Sequence, residues 1–153
     1  MFRSLSGVTK IVIPDSVVSI ENYGFAECKK LEEVVIPDSV VSMGSYVFSG
    51  CTSLKEVTLP TSILTVTGSY QFKDCTALEK VTIGCSTIPK DMFKGCIKLK
   101  DVTLLEGVKY IGASAFEGLN AIEEIVIPST VANGPYGNDE RYRKQGVPQL
   151  FVY

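Results

Sequence analysis

The chain repeats itself. From Leu31 to Pro60 it reads LEEVVIPDSVVSMGSYVFSGCTSLKEVTLP: Leu-x-x-Val-x-Ile-Pro, then Val-x-x-Met, then Phe-x-x-Cys, then Leu-x-x-Val-x-Leu-Pro again. A single unit of this kind cannot bury its own apolar positions and needs a copy on either side, which restricts the chain to a stacked architecture. Five copies start at Val8, Leu31, Leu54, Leu78 and Leu99, and a sixth opens at Ile122, so successive starts lie 23, 23, 24, 21 and 23 residues apart. Ahead of them, Phe2-x-x-Leu5-x-x-Val8 has the spacing of Phe48-x-x-Cys51-x-x-Leu54 and reads as the closing part of a preceding unit. The third copy carries one extra residue near Thr67, and the fourth is shortened by two after Ile83.

Two local periods alternate within each unit. Val34-x-Ile36 and its equivalents alternate apolar and variable residues, the mark of a short strand with one face buried. Pro14, Pro37 and Pro60, each opening a Pro-x-Ser, end those strands, since proline cannot donate to a ladder. Val-x-x-Ile then predicts a second extended stretch at a corner. The Tyr-x-Phe-x-x-Cys segment, with apolar residues three apart, predicts a single helical or 3₁₀ turn on the far side. Stacking such units aligns the first strands into a parallel sheet at roughly 4.8 Å per rung. The expected fold is therefore a curved repeat solenoid of mostly β content, with the parallel sheet on its concave face and short strands and helical turns elsewhere.

Residues 1–132 form the expected solenoid: a partial repeat at 1–7, five repeats over 8–121 and the start of a sixth at 122–132. The rest, 133–153, departs from the pattern and predicts a C-terminal cap of turn, short helix and strand. Asn133-Gly134-Pro135-Tyr136-Gly137 supplies the turn, Asn138 an N-cap, Gly146 and Pro148 a stop, and Gln149 to Tyr153 a last strand.

Composition narrows the function. A net charge of −2 provides no broad basic footprint, which argues against nucleic acid as a partner. No apolar run is long enough to insert into a membrane as a helix, and MFRSLSGVTK contains no apolar core of a signal peptide. There is no histidine, hence no Ser/His/Asp set, and no phosphate-cradling glycine loop. Neighbouring carboxylates such as Glu32/Glu33 and Glu123/Glu124 point to opposite faces of a strand and cannot act as an acid–base pair. No catalytic residue, metal site or cofactor is expected.

Three constellations remain. Cys28, Cys51, Cys75 and Cys96 share one slot, which Leu5 and Leu119 fill at either end. A straight column cannot wrap an ion; neighbouring rungs lie within the Cα range of a disulfide, but the leucines mark the slot as a small apolar pit, so buried free thiols are expected over bridges, with Cys85 outside the column and more exposed. The second constellation is the outward face of the sheet, where solenoids commonly bind partners. Its columns are Lys10, Glu33, Glu56, Lys80, Asp101 and Glu124, and Val12, Val35, Thr58, Thr82, Thr103 and Val126. Solubility alone would also produce such a face. The third, a weaker candidate, is a tyrosine stripe at Tyr23, Tyr46 and Tyr70, two positions before the repeat phenylalanine. It reads either as an adhesive ridge or as half-buried rings packed on the phenylalanine column.

The combination Leu-x-x-Val-x-Ile-Pro-x-Ser-Val-x-x-Ile-Gly-x-x-x-Phe-x-x-Cys resembles the BspA-type (Treponema pallidum-type) leucine-rich repeat, over Val8 to Val131 and with a terminal unit similar to PYGNDERYRKQGVPQLFVY. The resemblance implies a right-handed leucine-rich-repeat solenoid of the α/β type, common in bacterial or protozoan surface proteins used in adhesion, with no enzyme activity and no family-wide binding residue. It places the chain at a cell surface or outside the cell. The expected function is a non-catalytic interaction module for a protein partner, with a structural spacer or an intracellular scaffold as the alternatives. An open first rung, with unpaired backbone groups, would also invite self-association.

Overall fold

A computed structural model describes residues 2–132 and the backbone of 150–152. Each copy opens with a short strand: β1 (Lys10–Val12), β3 (Glu33–Val35), β5 (Glu56–Leu59), β7 (Lys80–Ile83), β9 (Asp101–Leu104) and β11 (Ile125–Ile127). A second, two-residue strand follows in five of them: β2 (Ser19–Ile20), β4 (Ser42–Met43), β6 (Thr65–Val66), β8 (Thr87–Ile88) and β10 (Tyr110–Ile111). A four-residue helix, α1 (Ser129–Ala132), and a strand, β12 (Leu150–Val152), complete the elements. The expected turn and helix of the C-terminal cap lie outside the described residues.

The first strands form a parallel five-stranded sheet, β1-β3-β5-β7-β9, in which equivalent residues of successive copies are opposite one another. Strand period two then sends Val34, Val57 and Val81 inward, and all three are buried. Interior columns run the length of the solenoid. The phenylalanines stack in sequence, with centroids 5.8 Å apart for Phe2–Phe25, 5.4 Å for Phe25–Phe48, 5.3 Å for Phe48–Phe72, 5.5 Å for Phe72–Phe93 and 5.7 Å for Phe93–Phe116. This is the repeat solenoid that the spacing predicts.

Three recurring positions of the unit have a rung-to-rung task. The serine of Pro-x-Ser reaches back one rung: Ser39 Oγ donates to the Val17 carbonyl at 2.9 Å and Ser62 Oγ to the Val40 carbonyl at 2.9 Å, as Thr130 Oγ1 does to Val108 at 2.7 Å. The cysteines do likewise on the far side. Cys51, Cys75 and Cys96 donate from Sγ to the carbonyls of Phe25, Phe48 and Phe72 at 3.3, 3.1 and 3.1 Å. The glycine after the second strand is set by close approach, since a Cβ on Gly112 would lie 2.7 Å from the carbonyl carbon of Pro89 in the rung before.

The far side differs from the expected helical turn. It is built of separate i→i+3 turns such as Ala26 N to Tyr23 O at 3.2 Å and Leu31 N to Cys28 O at 3.0 Å. Two left-handed residues per copy keep these turns from merging into a helix: Tyr23, Tyr46, Tyr70, Asp91 and Ser114 form one column, and Ser4, Glu27, Gly50, Asp74, Gly95 and Gly118 the other. The residue between them donates instead to the neighbouring rung, as Phe25 N does to Val47 O at 2.9 Å.

The irregular copies break the second sheet. The short strands form β2-β4-β6 and β8-β10, with no ladder joining β6 to β8. The inserted residue beside Gly68 and the shortening after Ile83 fall on either side of that gap. Gln71, fully buried, donates from Nε2 to the carbonyls of Gly44 at 3.1 Å and Thr67 at 3.2 Å, on the β4–β6 side of that gap. The main ladder ends at β9, and β11 forms a separate pair with β12.

Candidate functional site

The sheet places its outward residues in two straight columns. Register puts Lys10, Glu33, Glu56, Lys80 and Asp101 side by side, and beside them Val12 with Val35, then Thr58, Thr82 and Thr103. All are exposed except Thr82, which is half-buried. Glu124 and Val126 are exposed too, but they stand on β11 or just before it, outside the hydrogen-bonded sheet. They extend the face by proximity only.

The face is hollowed. Glu33, Val35, Glu56, Thr58, Lys80 and Thr82 border a hollow of about 280 Å³ over the middle of the sheet. A second, of about 500 Å³, lies beside it and brings in residues that strand periodicity had passed over: Glu32, Lys55, Glu79 and Lys100. These four occupy the position before each first strand, and their signs alternate from rung to rung. The alternation at repeat spacing was the available signal. Lys55 bonds Glu32 at 2.9 Å and Lys100 bonds Glu79 at 3.3 Å, while Lys10 bonds Glu33 at 2.8 Å in the neighbouring column. All six side chains are roughly half exposed, so these pairs add little stability. Their effect is to fix a pattern of charge. Glu33 and Glu56 sit opposite one another as like charges, a pairing that a sheet selected for stability alone would avoid.

The tyrosine stripe is a continuous stack. Tyr23 and Tyr46 have centroids 4.9 Å apart and Tyr46 and Tyr70 5.0 Å apart, with Arg3 over the free face of Tyr23 at 5.4 Å and Lys94 over Tyr70 at 6.0 Å. Each tyrosine takes a left-handed φ, between 55° and 66°, where a side chain costs about 1–2 kcal/mol. Stacking and cation–π contact return a comparable amount, about 0.5–1.5 kcal/mol per aromatic pair. Tyr23 is 37% exposed and the other two are half-buried. Nothing in the sequence marks the two cations, which are brought over the rings by the turn.

The cysteines are unsuited to chemistry. All five are free and buried. Burial pushes the Cys51 thiol up to about 12, and the neighbouring Cys28 and Glu27 add to the effect, outweighing the hydrogen bond that lowers it. Burial also raises the Cys75 thiol, helped by the adjacent Cys96. Cys85 corrects an expectation: it is fully buried rather than more exposed, its Sγ donates to Thr87 O at 3.3 Å, and burial raises its thiol to about 12. The cause is the shortened fourth copy, which draws the preceding residue against the rung before through Gly84 N to Leu59 O at 2.7 Å.

Among the described residues no helix is long and apolar enough to cross a membrane. Comparison with known proteins accounts for the architecture. A family model described as a BspA-type leucine-rich repeat region matches residues 1–86. Crystal structures with the same fold include a leucine-rich repeat protein from Bacteroides ovatus (31% identity over 80% of this chain and 38% of that one, TM-score 0.62). Another is the Treponema pallidum leucine-rich repeat protein, 33% identical over 72% of this chain and 52% of that one, with a TM-score of 0.65. A leucine-rich cell surface protein from Faecalibacterium prausnitzii shares the fold at 18% identity, over 95% of this chain and 59% of that one, with a TM-score of 0.51. The chain spans between 38% and 59% of the length of these relatives. No curated protein sequence matches it.

Proposed function

The chain belongs to the BspA-type leucine-rich repeat family, and from that premise we propose that it is a non-catalytic interaction module that binds a protein partner through the outward face of its parallel sheet, as part of a cell-surface or secreted adhesion-type protein. The observation that carries this reading is the hollowed, charge-patterned face, where Glu33, Glu56 and Lys80 line both hollows. Exposed Val12, Val35 and Val126 and the threonines between them supply apolar contact beside the charges. The adjacent like charges of Glu33 and Glu56 suit a partner that brings a cation between them. The cell surface protein from F. prausnitzii supports the setting, since it carries the same fold.

The tyrosine stack is the second surface, favoured by its strained backbone and by its exposed end at Tyr23. Its ring faces are occupied by one another and by Arg3 and Lys94, which leaves less of it for a ligand than the sheet face offers.

Binding to intact host cells or immobilised matrix proteins tests the proposal. Saturable binding that falls at least tenfold in Glu33→Lys/Glu56→Lys, with binding retained in Tyr23→Ala, is the expected result. Equal binding by the charge-reversed and parent chains would overturn the assignment to the sheet face.

A further inference from the structure

The outward face is long and narrow. Its columns run along the solenoid axis at rung pitch, roughly 4.8 Å, and span only the width of one short strand. Its charges are unequally engaged. Glu33 is held by Lys10, Glu32 by Lys55 and Glu79 by Lys100. Glu56, Lys80 and Asp101, by contrast, join no ion pair among the described residues. Register sets these three side by side, a row of negative, positive and negative charge on consecutive rungs. All three border the larger hollow of about 500 Å³. Thr58, Thr82 and Thr103 run beside them on the same face and add a row of hydroxyls.

From this, and resting on the sheet-face reading above, we propose that the partner lays an extended polyproline-II segment along these columns, with two basic side chains three residues apart. Glu56 and Asp101 stand two rungs apart, about 9.6 Å. A polyproline-II chain rises about 3.1 Å per residue with three residues per turn, so residues three apart share a side at about 9.3 Å. One cation then meets Glu56, with Glu33 adding to the attraction, and the other meets Asp101. Arginine suits both places, since its fork takes a carboxylate by two hydrogen bonds. Same-side residues of a β-strand fall at roughly 6.7 or 13 Å and miss the second acid.

The stretch between the two cations carries free carbonyls, because polyproline II makes no internal hydrogen bonds. Lys80, midway between the acids, donates to one of them, and the threonine hydroxyls bond the same exposed backbone from the side. A helix comes near the spacing, at about 10.5 Å over seven residues, but its backbone groups are already paired and offer Lys80 and the threonines nothing. A chain that is extended before it docks also loses little freedom on binding, which suits a contact this narrow.

Fluorescence anisotropy of labelled peptides against the intact chain tests this. The probe carries two arginines three residues apart among prolines. One control has the same composition with the arginines two apart, and another carries them seven apart on an alanine-rich helix. The three-apart peptide is expected to bind at least tenfold tighter than either control, and Glu56→Lys and Asp101→Lys should each lower that affinity at least tenfold. Lys80→Ala should weaken binding severalfold although it removes a positive charge, whereas attraction to bulk negative charge would strengthen it. A three-apart peptide that binds no better than its controls, or tighter binding by Lys80→Ala, would overturn the inference. Either failure leaves the sheet-face reading standing as long as host-cell or matrix binding still falls in Glu33→Lys/Glu56→Lys; binding indifferent to that reversal removes both.

Discussion

The phenylalanine column allows one substitution to be made at chemically equal positions that differ only in their neighbours. Phe48 is fully buried between Phe25 at 5.4 Å and Phe72 at 5.3 Å. Phe48→Leu keeps an apolar side chain but loses both stacked pairs, about 0.5–1.5 kcal/mol each. The volume left unfilled, roughly 20–25 Å³, adds about 0.5 kcal/mol at ~24 cal/mol per Å³. The expected loss is about 2–3 kcal/mol. Phe2 has a single stacking neighbour at 5.8 Å and is 60% exposed, so Phe2→Leu should cost below about 1 kcal/mol in monomeric protein. Urea unfolding of dilute samples reads both, through a shift in midpoint at constant slope. Equal losses at the two positions would mean that the column does not transmit burial from rung to rung, and the account of the core given above would fail.

Two further outcomes follow from the rung-to-rung bonds and the thiols. Ser39→Ala and Ser62→Ala each strand a carbonyl of the preceding rung and should cost about 1 kcal/mol, whereas Ser16→Ala, which makes no such rung-to-rung bond among the described residues, should be close to neutral in the same unfolding assay of this chain. Cys51 and Cys85 are raised from 9.0 to about 12, so between those values the native state keeps protons that the unfolded chain has lost. Stability is then complete below about pH 9 and falls as pH rises toward 12, by about 1.4 kcal/mol per pH unit for each such thiol. Denaturant melts across that range should show the decline, and Cys85→Ala should flatten it; a pH-independent midpoint would contradict the buried state of these thiols.

What repetition makes legible is whatever every rung needs. Leu31, Val34, Phe48 and Cys51 recur because each must meet its own copy above and below, and all are buried in the structure. The sheet face followed from the same columns by simple alternation. Features that arise once carry no such signal. The gap between β6 and β8 and the buried Gln71 amide depend on how one insertion and one shortening are absorbed, which no periodicity reports. Cys85 was misplaced for the same reason. The left-handed tyrosines were hidden differently: the position calls for Gly or Asn by backbone preference alone, and the stack of rings across rungs offsets that preference at Tyr23, Tyr46 and Tyr70. The alternating Glu32, Lys55, Glu79 and Lys100 column was visible in the chain, yet it sits one residue outside the strand, where the alternation of in and out gives no reason to look. Selection for stacking constrains the inward columns to near identity, while a partner is recognised through differences between rungs. On the proposed function, Glu33 and Glu56 beside Lys80 are where a change of charge should alter binding without altering the fold.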